Sequence, residues 1–182
     1  MNKQTPENDR GRQARRKDTE NRSSGERTVC LTIRGIQTDP DGNSQEHTSV
    51  YLAGYTEAEE GPGHVFRYRT GEDKAGGPES VLFVSRGLVR MERAGEGSSV
   101  MIFDPSVPMT GCDYGTLFGV IPMEIRTQRI SVMDGGASLR PAAGSGRLRL
   151  RARVQYSLGM DAGYALECSV TIQADEITEI TE

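Results

Sequence analysis

Residues 147–158 read RLRLRARVQYSL, and residues 164–176 read YALECSVTIQADE. In the first stretch Leu148, Leu150, Ala152, Val154, Tyr156 and Leu158 share one side of an extended chain, and Arg147, Arg149, Arg151, Arg153 and Gln155 share the other. In the second, Leu166, Cys168, Val170, Ile172 and Ala174 alternate with Glu167, Ser169, Thr171 and Gln173. Successive side chains of a strand point to opposite faces, so a period of two with one apolar and one wet face marks antiparallel sheet.

The same period begins near Thr28, where VCLTIRGIQ sets Val29, Leu31 and Ile33 against Cys30, Thr32 and Arg34. DPDGN at 39–43 and GPG at 61–63 carry turn chemistry and bracket QEHTSVYLAGYTE. HVFRYRTG, SVLFVSRG, GLVRMERAG and SSVMIFDP follow, the middle two joined at Gly87 and the last broken by Pro105 and Pro108. No stretch has a helical period. Nine or ten strands without a crossover helix make a sandwich or a closed barrel. The regular hairpin rhythm favours a closed antiparallel up-and-down barrel of about 8–10 strands, which also hides the edges of a long strand.

The stretch CDYGTLFGVIPMEIRT, Cys112–Thr127, is predicted to be a bend into a long strand. Gly115 and Gly119 can take positive φ, which other residues resist. Pro122 cannot donate to a ladder and marks a bulge or an edge. The apolar phase moves from Ile121, Met123 and Ile125 to Ile130 and Val132, so one extra residue must be absorbed near Thr127 or Gln128.

Length and charge divide the chain further. A length of 182 residues suits one domain with room for a tail. Residues 1–27 hold almost no large apolar side chain and are predicted to be a disordered tail, followed by a barrel domain over 28–177 and a short acidic tail over 178–182. The first segment carries eight Lys/Arg against five Asp/Glu, a net +3 that includes Arg12, Arg15, Arg16 and Lys17. The rest carries 14 against 21, a net -7, which argues against nucleic acid as a partner of the body. No apolar run approaches the ~20 residues of a membrane span, and no secretory h-region is seen. Cys30, Cys112 and Cys168 are three and widely spaced, which fits neither a disulfide framework nor a zinc site. Cys30 and Cys168 fall in opposite phases, so they should face opposite sides of the wall. A reducing cytoplasm is expected.

One run resembles a known family. Arg93 and Gly95 form an Arg-x-Gly step, and Ser98 and Ser99 precede an apolar strand ending at Phe103. Tyr114, Thr116, Phe118 and Gly119 form Tyr-x-Thr-x-aromatic-Gly, followed by Met123, Glu124 and Ile125 with Thr127 nearby. This pattern resembles the YwiB-like family of uncharacterised bacterial proteins, a domain of unknown function, over roughly residues 29–176. The resemblance implies a calycin-like barrel. Where family members often place acids after the tyrosine of the third strand, this chain has Arg69 and Thr70 after Tyr68. It also lacks any Trp, so its likeness to lipocalins is one of architecture only.

Candidate chemistry is sparse. Only His47 and His64 could act as near-neutral bases, and neither stands beside a nucleophile motif. Both are read as exposed hairpin histidines, and no enzyme, metal or cofactor is expected. A barrel of about eight strands is either filled by side chains or holds one small ligand. Arg93, Tyr114, Thr116, Phe118 and Thr127 are the candidate lining for a small, partly apolar ligand, with a mouth near Tyr114. The alternative is a protein or RNA interaction through the outer face of Arg147, Arg149, Arg151 and Arg153 together with the basic tail. The plainer reading of that face is a solvated strand surface paired with Glu167 on the next strand and with other acids around it.

Overall fold

The computed structural model describes residues 26–71, 77–95, 97–135, 148–160 and 164–177. Residues 1–25 of the predicted tail, Arg147 and the C-terminal 178–182 lie outside the described residues. Ten strands follow one another: β1 (Arg27–Thr38), β2 (Ser44–Glu57), β3 (His64–Arg69), β4 (Glu79–Val84) and β5 (Val89–Arg93), then β6 (Ser99–Phe103), β7 (Thr110–Thr116), β8 (Gly119–Asp134), β9 (Arg149–Met160) and β10 (Tyr164–Glu176). Their order in the single sheet is β6-β5-β4-β3-β2-β1-β10-β9-β8-β7, and every pairing is antiparallel. The chain therefore runs up and down and curls until β1 meets β10.

One seam remains, between β6 and β7. Gly115 N donates to Ser98 O at 2.8 Å, Thr110 Oγ1 to Ile102 O at 2.6 Å, and Asp104 N to Thr127 Oγ1 at 3.1 Å. The barrel is nearly closed, and two threonine hydroxyls help hold it there. Gly115 does not use its freedom to take positive φ. Its role is close approach, because a Cβ would stand 2.6 Å from Ser98 Oγ. Gly119 does take positive φ, at 133°.

The extra residue in β8 is Gln128. Thr127 pairs with Tyr156 and Arg129 with Gln155, which leaves Gln128 unopposed. The odd-to-even change of apolar phase thus becomes a bulge that lets a 16-residue strand curve around the core. Pro122 pairs with Asp113 of β7 just beyond the last β9 partner, at Met123, where β8 has a neighbour on one side only. The inner phase of each strand fills the lumen, with Leu31, Tyr55, Phe66, Leu82, Phe103 and Ile125 among the fully buried residues.

The wall is uneven. β3 to β6 have five or six residues each, whereas β1, β2, β9 and β10 have 12 to 14. β3 pairs only with Ala53–Glu57 of β2, so Ser44–Leu52 runs on past the short wall together with its β1 partners. That overhang shapes one end of the barrel.

Candidate functional site

At this end a cavity of about 420 Å³ opens between the β1–β2 overhang and the short wall. Gly35, Gln37, Gln45 and His47 form its lip, Ile33, Val170 and Tyr156 its floor, and Tyr68, Met91 and Arg93 its far side. Tyr51 and Tyr68 lean together with ring centroids 4.6 Å apart. Burial, helped by Tyr51 and opposed by Arg93, pushes the Tyr68 phenol up to about 12, so it remains a proton donor. Gly35 occupies the inner phase, where Val29 and Leu31 are buried, and a Cβ on it would meet nothing within 4 Å. The cavity is there partly because this position has no side chain.

Polar groups gather on the short wall. Tyr68 pairs with Ser80, Val81 with Glu92, and Arg93 with Ser99, so Tyr68, Ser80, Arg93 and Ser99 form one row across β3 to β6. Ser80 and Ser99 are 1% and 6% exposed, share the inner phase with Leu82 and Phe103, and have no hydrogen-bond partner for their hydroxyls among the described residues. On the lip, the Glu46 carboxylate accepts both arms of the Arg34 guanidinium at 2.7 Å. His47 Nε2 shares a 2.8 Å hydrogen bond with Ser49 Oγ.

Of the five residues the sequence grouped as a ligand lining, only Arg93 lines this cavity. Tyr114 is in phase with buried Cys112 and crowds the seam, its Oη 2.9 Å from where a Cβ on Gly97 would stand. Thr116 Oγ1 donates to Gly119 O at 2.8 Å and accepts from Phe118 N at 3.2 Å, closing the β7–β8 turn. Phe118, at the tip of that turn, is fully exposed. Thr127 serves the seam. The mouth therefore lies beside Arg93 and not beside Tyr114.

Two further expectations change. The outward arginines of β9 do not pair with Glu167. The register sets Arg149, Arg151 and Arg153 against Asp175, Gln173 and Thr171, and puts Glu167 opposite Ser157, where it accepts a 2.8 Å bond from Gln128 Nε2. Arg151 donates to Gln173 Oε1 at 3.1 Å, and no carboxylate among the described residues makes an ion pair with these three arginines. His64 is not an exposed histidine either. It is in phase with Phe66 and plugs the opposite, closed end. There its Nδ1 lies 3.1 Å from Tyr55 Oη and its Nε2 lies 3.6 Å from Asp134 Oδ2. Burial lowers its pKa, outweighing Asp134 and Glu57, so the ring is neutral near pH 7. Nδ1 then accepts from the Tyr55 hydroxyl and Nε2–H faces Asp134.

Cys30 is half-buried on the outer phase, and Cys112 and Cys168 are buried; all three are free thiols. Burial pushes the Cys168 thiol up to about 11 and raises Cys112 as well. Thiols so protonated are poor nucleophiles. Among the described residues no group of three or more His, Cys, Asp or Glu gathers as a metal cluster, and no helix is long and apolar enough to cross a membrane.

Tyr51, Met91 and Gly35 line the cavity although no sequence motif marks them. Gly35 left a signal, since a glycine interrupts an apolar phase only where room or close approach is needed.

Among the described residues these features define a nearly closed ten-stranded up-and-down β-barrel with a cavity at one end. The chain belongs to the family described as a domain of unknown function (DUF1934), whose model matches residues 31–172. The crystal structure of the YwiB protein from Bacillus subtilis is similar, with a TM-score of 0.64 and 19% identity over 84% of this chain and 94% of that one. At that identity the likeness shows the fold alone. No curated protein matches this chain.

Proposed function

We propose that this protein is a non-enzymatic binding module that holds a small, partly apolar molecule at the open end of its barrel. The observation that carries this reading is the cavity of about 420 Å³ between the Tyr51–Tyr68 ring pair, Met91 and Tyr156. That volume lies within the roughly 300–1,000 Å³ of small-molecule sites, and its mix of aromatic walls with a few polar groups is their usual lining. Protonated thiols and a His47 ring engaged with Ser49 support binding over catalysis. Three free cysteines fit a reducing compartment, and we place the protein in the cytoplasm.

Gly35→Phe tests the reading, because it fills the cavity from a position with open space around it. Native mass spectrometry of protein purified from its own cells should find a small molecule bound to the wild type and absent from Gly35→Phe. Folding should be unharmed, since glycine inside a strand costs roughly 0.5–1 kcal/mol relative to alanine. A wild type that carries nothing, or a variant that keeps its ligand, would overturn the proposal. A second reading, a protein or RNA surface, is favoured by the three β9 guanidiniums that lack carboxylate partners among the described residues.

A further inference from the structure

Among the described residues, the short wall of the cavity presents Tyr68 and Arg93 as donors and no carboxylate. Arg93 lines the cavity and makes no hydrogen bond or ion pair with the described residues. The register places Ser99 opposite Arg93 and Ser80 beside it, and both hydroxyls are buried and unpartnered among the described residues. Native proteins rarely bury a hydroxyl without a partner, because the lost hydration is not replaced. Neither hydroxyl lines the cavity, so Arg93 is the charged donor of the short wall that a molecule in the cavity can reach. The one carboxylate on the lip, Glu46, is already held by Arg34 on both oxygens. Among the described residues that line the cavity, Arg93 is therefore the charge without a counter-charge.

Resting on the binding role above, we infer that the ligand is a small amphipathic anion whose carboxylate-, sulfonate- or phosphate-type head sits on Arg93. Its apolar or aromatic body lies against Tyr51, Tyr68 and Met91. A guanidinium fork suits such a head because it offers paired N–H donors to paired oxygens. The overhang of β1 and β2 covers the body and leaves the head at the short wall, so orientation follows from the shape of the mouth.

Two fluorescent probes of similar size test this directly. 1-Anilinonaphthalene-8-sulfonate carries an anionic head, and N-phenyl-1-naphthylamine has a comparable body without charge. Titrations of both into the folded full chain should show Arg93→Gln weakening the sulfonate about tenfold or more while leaving the neutral probe unchanged. Gly35→Phe should abolish both probes. If Arg93→Gln shifts both probes alike or neither, while Gly35→Phe still abolishes both, the anion inference is overturned and the cavity reading stands. If Gly35→Phe leaves both probes bound, the cavity is not their site and both readings fail together.

Discussion

Gly119 holds φ at 133° where β7 turns into β8. A Cβ there would meet nothing within 4 Å, so the constraint lies in the backbone and not in crowding. Side chains resist that φ, and Gly119→Val should cost on the order of 1–3 kcal/mol in urea unfolding. Thr116→Val in the same turn removes a hydroxyl with two bonds but in an exposed place, and should cost only about 0.5–1.5 kcal/mol. A neutral Gly119→Val would show that the turn is not held by its glycine. At this scale the sequence was informative about the bend, because turn chemistry is local. It grouped Tyr114, Thr116, Phe118 and Thr127 with Arg93 because they share a motif. Sequence proximity brought two of them to the turn and two to the seam instead.

Strand β9 carries its pattern in plain view, with an inner row from Leu148 to Leu158 and an outer row of arginines. Among the described residues the outer row makes one side-chain hydrogen bond, Arg151 to Gln173, and sits in solvent. Replacing Arg149 and Arg151 together with Gln should change stability by roughly 0–1 kcal/mol, the range of exposed charge interactions. If the same change abolished a measured RNA or protein interaction, the second functional reading would gain over the cavity. Alternation told which face each arginine takes. It could not tell which residue lies opposite, since register is a relation between two strands and not a property of one. The Glu167 pairing failed for that reason, while the bulge at Gln128 was legible because a phase change is written within a single strand.

Across the whole molecule, the closed end ties β2, β3 and β8 together through Tyr55, His64 and Asp134, with Glu57 and Arg27 close by. Burial depresses the His64 pKa below its ordinary 6.5, so the folded state favours the neutral ring. Above 6.5 both folded and unfolded chains hold it neutral, and it adds no pH dependence. As the pH falls below 6.5 the unfolded chain takes up a proton that the folded chain resists, and stability declines. Urea midpoints measured between about pH 5 and pH 8 should therefore fall toward the acid side, and His64→Gln should flatten that fall. A midpoint that rises on acidification would mean that Asp134 controls the ring after all. The all-β class, the up-and-down order, the inner and outer face of nearly every strand and the β8 bulge were determined by the sequence alone, because alternation and turn chemistry act over a few neighbouring residues. Only the tertiary structure decided the overhang of β2 past β3, the cavity beneath it, the row of Tyr68, Ser80, Arg93 and Ser99, and the burial of His64. Each of these depends on how far one strand slides along another before the core is filled, and residues far apart in the chain settle that together.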